Sequence, residues 1–216
     1  MAKKIKVRVQ KTKHVYVHND LSQAALHHED AIQEKLDKGK RNGIAYDGMA
    51  CALMVAFAFE ANLNFMGLKL LEAGKLPNWQ EREKFDKKLK KVFGALGIPV
   101  EEAKRPLSSM MRMKALRDTL AHGKPVYVEY DKEVIGTPEE IDLFRGWNLS
   151  AGWETECKPD VVKEVRGDLE ELWKLMVEKS GLSLFDTMTG GDGAIIFIAD
   201  ADPSVPSTVP EQISNS

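Results

Sequence analysis

The stretch Met113-Lys-Ala-Leu-Arg-Asp-Thr-Leu-Ala-His-Gly-Lys-Pro125 places a guanidinium, a carboxylate and an imidazole within the six residues from Arg117 to His122. Imidazole can take or give a proton near neutral pH, and arginine can hold a phosphate and stabilise charge developing on it. Asp118 and His122 are four apart and share a helix face, so the carboxylate can orient the imidazole. Arg117 lies roughly 140° round the helix from His122 and reaches sideways. Cleaving an RNA phosphodiester needs a base for the 2′-hydroxyl, an acid for the leaving 5′-oxygen and positive charge beside the phosphorus. Two copies of this helix end across a twofold axis would supply all three, and no metal would be required. The same residues also suit plain capping, because a helix macrodipole favours a cation in the last turn.

Several elements must position this stretch. Met113, Leu116 and Leu120 recur at three- and four-residue spacing, which predicts an amphipathic helix beginning at Pro106 and stopped by Gly123 and Pro125. Ile44 to Glu72 carries the longest helical pattern, apolar on nearly all sides from Met49 to Phe59, and so is expected at the centre. A helix buried all round needs more cover than a short bundle gives, which points to a homodimer. Glu60 and Asn64, one turn apart, interrupt its apolar character; they fit either support for a site or an exit to solvent. Lys124 follows the helix end and adds positive charge.

The other segments read as follows. Lys3 to Gln10 alternates Ile5, Val7 and Val9 with basic residues, as an edge strand does, and Val15-Tyr-Val17 extends or pairs with it. Asp20 to Lys38 and Trp79 to Phe93 are amphipathic helices, the second with Lys87-Lys-Leu-Lys-Lys91 on a solvated face. Val126 to Tyr130 has strand character, and Thr137-Pro-Glu-Glu140 is a capping box opening a short helix to about Phe144. Trp147 to Lys158 reads as irregular. Pro159 opens a strong helix closed by Gly181, Thr189-Gly-Gly-Asp-Gly193 is a loop, and Ala194 to Ala199 is a strand. The expected architecture is mainly α: a helical bundle over 21–182 with a long central helix, a basic strand extension over 1–20, a strand segment over 183–202 and a disordered tail over 203–216. No composition shift divides the chain into two domains.

With 216 residues and 43% hydrophobic content the chain can bury a real core, and a formal charge of −2 gives no global attraction to nucleic acid. Two cysteines, Cys51 and Cys157, suggest neither a disulfide framework nor a metal pattern, so a reducing, cytoplasmic location is expected. The uncharged apolar run from Gly48 to Phe59 is too short for a membrane span, and no membrane association is expected. His14 and His18 share strand parity and His27-His-Glu-Asp30 clusters nearby, but residues 27 and 28 point to different helix faces and no HExxH pattern accompanies them. No metal or other cofactor is expected.

Arg117-Asp118-Thr-Leu-Ala-His122, with Leu116 before it and Gly123-Lys124-Pro125 after it, resembles the signature of the HEPN (higher eukaryotes and prokaryotes nucleotide-binding) family, whose members are all-helical and often metal-independent ribonucleases. Phe59-Glu-Ala-Asn-Leu-Asn64 is similar to part of that family's long helix. The resemblance spans about 44–180. It implies His122 as acid or base, Arg117 as the group holding the scissile phosphate, Asp118 orienting one of them, and Glu60 and Asn64 in support. It further implies RNA as substrate, a homodimer, and a toxin or abortive-infection role with an antitoxin or defence-system partner protein. Members that have lost activity serve as dimeric modules binding RNA, a nucleotide or a protein, and this is the alternative. The basic N-terminal strand, the segment from Val126 to Lys158 and the glycine-linked C-terminal strand lie outside the family pattern and leave substrate choice open.

Overall fold

The computed structural model describes residues 4–142, 150–201, 204–206 and 208. It is mainly helical, with one long central helix and a small antiparallel sheet made by strands near the two termini. The chain divides into two compact units: a helical unit over 16–188, and a unit made of the two terminal segments, 1–15 and 189–216. Each is described by itself.

In the helical unit α1 spans Val17–Asp37, α2 Ile44–Glu72, α3 Phe85–Leu96, α4 Leu107–His122, α5 Pro138–Asp142, α6 Gly152–Thr155 and α7 Pro159–Ser180, followed by a 3-10 turn at Leu184–Thr187. The centre is α2, which packs against α1, α3, α4 and α7. Val55, Phe59, Leu63, Met66 and Leu70 of α2 meet Leu89, Val92 and Phe93 of α3, Met110 and Met113 of α4, and Val162, Val165 and Met176 of α7 in one buried cluster. Each such side chain contributes about 1.5–3 kcal/mol when removed from water. The apolar character of α2 is thus covered largely by helices of the same chain. Its composition therefore gives no separate argument for a second copy. By length and composition α2 is also apolar enough to cross a membrane, which the shorter run from Gly48 to Phe59 is not; 61% of that apolar window is buried inside the chain.

Local departures from expectation have physical causes. Helix α3 begins at Phe85 rather than Trp79, because residues 76–79 turn back on α2: the Leu76 amide donates to the Leu70 carbonyl at 3.1 Å, and the buried Trp79 ring packs against Gly67. Tyr16 caps α1 and Val17 begins it, so His14 and His18 fall on different elements instead of one strand. Val126 to Tyr130, expected to have strand character, forms no strand and joins neither edge of the two-stranded sheet. The capping box at α5 is present: the Glu140 amide donates to Thr137 Oγ1 and the Thr137 amide to Glu140 Oε2. The expected end of that helix at Phe144, and part of the irregular stretch from Trp147, lie outside the described residues. So does most of the expected disordered tail.

In the terminal unit β1, Ile5–His14, pairs antiparallel with β2, Gly190–Asp200. The expected glycine loop is the first third of β2: Gly190, Gly191 and Gly193 face His14, Lys13 and Lys11. Position 191 admits no side chain, since a Cβ there would lie 2.7 Å from the Thr12 carbonyl oxygen. The two terminal segments are therefore one ribbon rather than two separate additions, and the helical unit extends to 16 and 188 rather than stopping at 21 and 182.

Candidate functional site

Helix α4 packs against α2 and α7, and through Lys114 it reaches Phe85 of α3. Leu116 and Met113 bury one side of α4, which brings Arg117 beside Glu60 on α2. Arg117 Nη1 donates to Glu60 Oε2 at 2.7 Å, and Arg117 Nε donates to Asp118 Oδ1 at 3.0 Å. Glu60 Oε1 accepts from Lys88 Nζ of α3 at 2.9 Å, and the same ammonium donates to Asn64 Oδ1 at 2.9 Å. Lys114 Nζ donates to Asp118 Oδ2 at 3.1 Å and sits 5.4 Å from the centre of the Phe85 ring. Glycine at 123 ends the helix with φ of 53°, its amide donating to the Thr119 carbonyl.

The cluster is graded in depth. The Lys88 side chain is 4% exposed, Arg117 and Glu60 are 21% and 29% exposed, and Asp118 opens to 43%. Three cations meet two carboxylates, leaving one formal positive charge in excess. Burial pushes the Glu60 carboxyl up, but the hydrogen bonds and charges of Lys88 and Arg117 outweigh it and hold the group below its ordinary value. Asp118 is likewise held down by Lys114 and Arg117 against the opposing effect of burial. For Arg117 burial works against the charged form, and the two carboxylates more than restore it.

Arg117, Asp118, Glu60 and Asn64 thus come together, the last two as direct partners of cations rather than as an exit to solvent. The expected pairing of Asp118 with His122 is not made, because the carboxylate turns to Lys114 and Arg117 instead. His122 is exposed in the last turn, with no hydrogen bond or ion pair among the described residues; Lys124, also exposed, follows the helix end. Lys88 and Lys114 were not anticipated. Lys88 had a legible signal: it stands three residues after Phe85 and four before Val92, on the apolar stripe of α3, where a lysine needs a buried partner.

The site is a surface one. A cavity of about 450 Å³ lies at the start of α2 against Trp153 and Cys157, and one of about 240 Å³ between α1 and α7; neither is lined by Arg117 or His122. Burial pushes the Cys51 thiol up to about 12 and the Cys157 thiol up to about 11, which leaves both protonated and poor nucleophiles. Among the described residues no group of three or more His, Cys, Asp or Glu side chains could hold a metal ion. A guanidinium has five N–H donors, so Arg117 keeps donors for a phosphate after binding both carboxylates. No family model, curated protein or solved structure matches this chain.

Proposed function

We propose that this chain is a metal-independent endoribonuclease of the HEPN kind, working in the cytoplasm as a homodimer, with a toxin or abortive-infection role and a cognate antitoxin or defence partner. The observation that carries the reading is Arg117 anchored by Glu60, with cationic charge in excess, five residues before an exposed and unengaged imidazole on the same helix. Arg117 holds the scissile phosphate through its remaining N–H groups. The surface-exposed Asp118 is the carboxylate that yields to phosphate, while Glu60, tied to Lys88, stays and fixes the guanidinium plane. His122 of one copy takes the 2′-hydroxyl proton as the 2′-oxygen attacks phosphorus. His122 of the other protonates the departing 5′-oxygen, leaving a 2′,3′-cyclic phosphate and a 5′-hydroxyl. RNA should be cut equally with and without EDTA, and His122→Ala should lower the rate by roughly 10²–10⁴-fold with binding retained. Cutting by wild type and His122→Ala at the same rate, or by neither, would refute the catalytic assignment.

One observation favours a second reading. Arg117 already meets two carboxylates, the arrangement of a structural ion pair, which suits a non-catalytic dimeric HEPN module binding RNA, a nucleotide or a protein partner. That module would bind RNA without cutting it, and His122→Ala would change neither outcome.

A further inference from the structure

The terminal ribbon has two unlike faces. The register puts Val7 opposite Phe197 and Val9 opposite Ile195, with Ile5 on the same side, whereas Lys6, Arg8, Gln10 and Thr12 lie on the other side opposite Ala199, Ile196, Ala194 and Asp192. The apolar face stands open: Ile5 is 56%, Val9 55%, Ile195 73% and Phe197 60% exposed. A ribbon of two strands is marginally stable in water, and a hydrophobic face becomes secure only with further strands or other cover. We infer that a second copy of this chain seats its own ribbon on this face, the two ribbons crossing antiparallel to form a four-stranded sandwich about a twofold axis.

Two features choose that occupant. The apolar face is uneven in shape: its large apolar side chains cluster at the Ile5 end and the middle, while at the far end Gly191 and Gly193 leave only the flexible Lys11 and Lys13 side chains standing. It is self-complementary in charge. On this face Lys11 and Lys13 stand at one end and Asp200 at the other, so an antiparallel partner brings lysines over the acidic end, whereas a parallel one would stack lysine on lysine. The area suffices. Covering five apolar side chains on each copy removes roughly 1,000 Å² in total, about the lower bound for a specific interface. The basic side chains of the opposite face stay in water, where they discourage further stacking.

This inference uses no feature of Arg117 or His122; it shares with the ribonuclease reading only the homodimer, and the ribbon variants separate the two because they leave Arg117 and His122 intact. Sedimentation equilibrium of the full chain across a concentration series tests it. Wild type should be a dimer, and Phe197→Asp should weaken dimerisation roughly hundredfold. Because Phe197→Asp could also loosen the ribbon itself, the second variant is Lys11→Glu with Lys13→Glu, which keeps both the strand pairing and the apolar face. It should dissociate more readily than wild type, and added salt should narrow the difference. A wild-type monomer at every concentration, or dimers of unchanged affinity in both variants, would overturn the inference, whatever RNA cleavage shows.

Discussion

Replacing Lys88 by methionine tests whether the polar cluster beneath Arg117 holds α2, α3 and α4 together. Lys88 Nζ makes two hydrogen bonds of 2.9 Å, to Glu60 and Asn64, from a side chain 4% exposed. Bonds from a charged donor are worth about 1.5–3 kcal/mol each, which sets the gross loss at roughly 3–6 kcal/mol. Two effects offset part of it. Methionine keeps the apolar stem packed, and no ammonium need then be desolvated. Glu60 also retains Arg117 at 2.7 Å, so its charge is not abandoned. The expected net cost is about 2–3 kcal/mol, which at a urea slope of about 2 kcal/mol/M lowers the unfolding midpoint by about 1–1.5 M. Pairing Lys88→Met with Glu60→Gln in a double-mutant cycle should give a coupling of at least about 1 kcal/mol. A midpoint equal to or above that of wild type in Lys88→Met would mean that desolvation outweighs the pair, and the cluster would then be a cost the fold carries.

Two further predictions concern stability. His18 is buried against Phe65 and Trp173, with ring centres 4.5 and 4.7 Å away, and burial, partly opposed by the charge of Asp20, lowers its pKa from 6.5 to about 4. The native state therefore holds it neutral while the unfolded chain protonates it below pH 6.5, so its contribution is full above 6.5 and drains away as pH falls towards 4, about 3 kcal/mol over the window. Urea midpoints of wild type should fall across that range more steeply than those of His18→Phe; parallel curves would contradict a neutral buried imidazole. Gly48→Ala should destabilise by about 1–2 kcal/mol although alanine is the better helix former, because its Cβ would lie 2.0 Å from the Cys157 carbonyl oxygen. A thermal midpoint at or above that of wild type would show that the junction before α7 gives way.

The parts of this fold readable beforehand are those in which neighbouring residues decide the outcome. Ile44 to Glu72 was legible to the residue because Gly43 and a polar loop precede a long apolar pattern. Pro159 and Gly181 likewise bracket α7. Long-range partners decided the rest. Trp79 looks like the first residue of a helix until its ring is found against Gly67. Val126 to Tyr130 has strand character, yet it pairs with neither of the two strands among the described residues. At the site, the spacing of Arg117 and Asp118 was visible, but the use each carboxylate found was not: Asp118 and His122 share a helix face, yet two cations nearer to hand claim the aspartate. Lys88 hid in a basic cluster in which Lys87 and Lys90 face water and Lys91 pairs with Glu83, and only its place on the apolar stripe distinguished it.

The pairing of β1 with β2 has a consequence for the order in which the chain folds. The last pair of the ribbon, His14 with Gly190, closes a loop that contains every helix, so forming the ribbon first would mean constraining a very long disordered chain for a few strand contacts. Once the helices have packed, that penalty has already been met. Asn19 Nδ2 donates to the Thr187 carbonyl at 2.8 Å across 168 residues of sequence, which holds the two ends of the helical unit side by side. From there only a few residues on each flank remain to be brought into register. The whole helical unit then behaves as the turn of an outsized hairpin, a prefolded connection that converts the most distant pairing in the sequence into a local one.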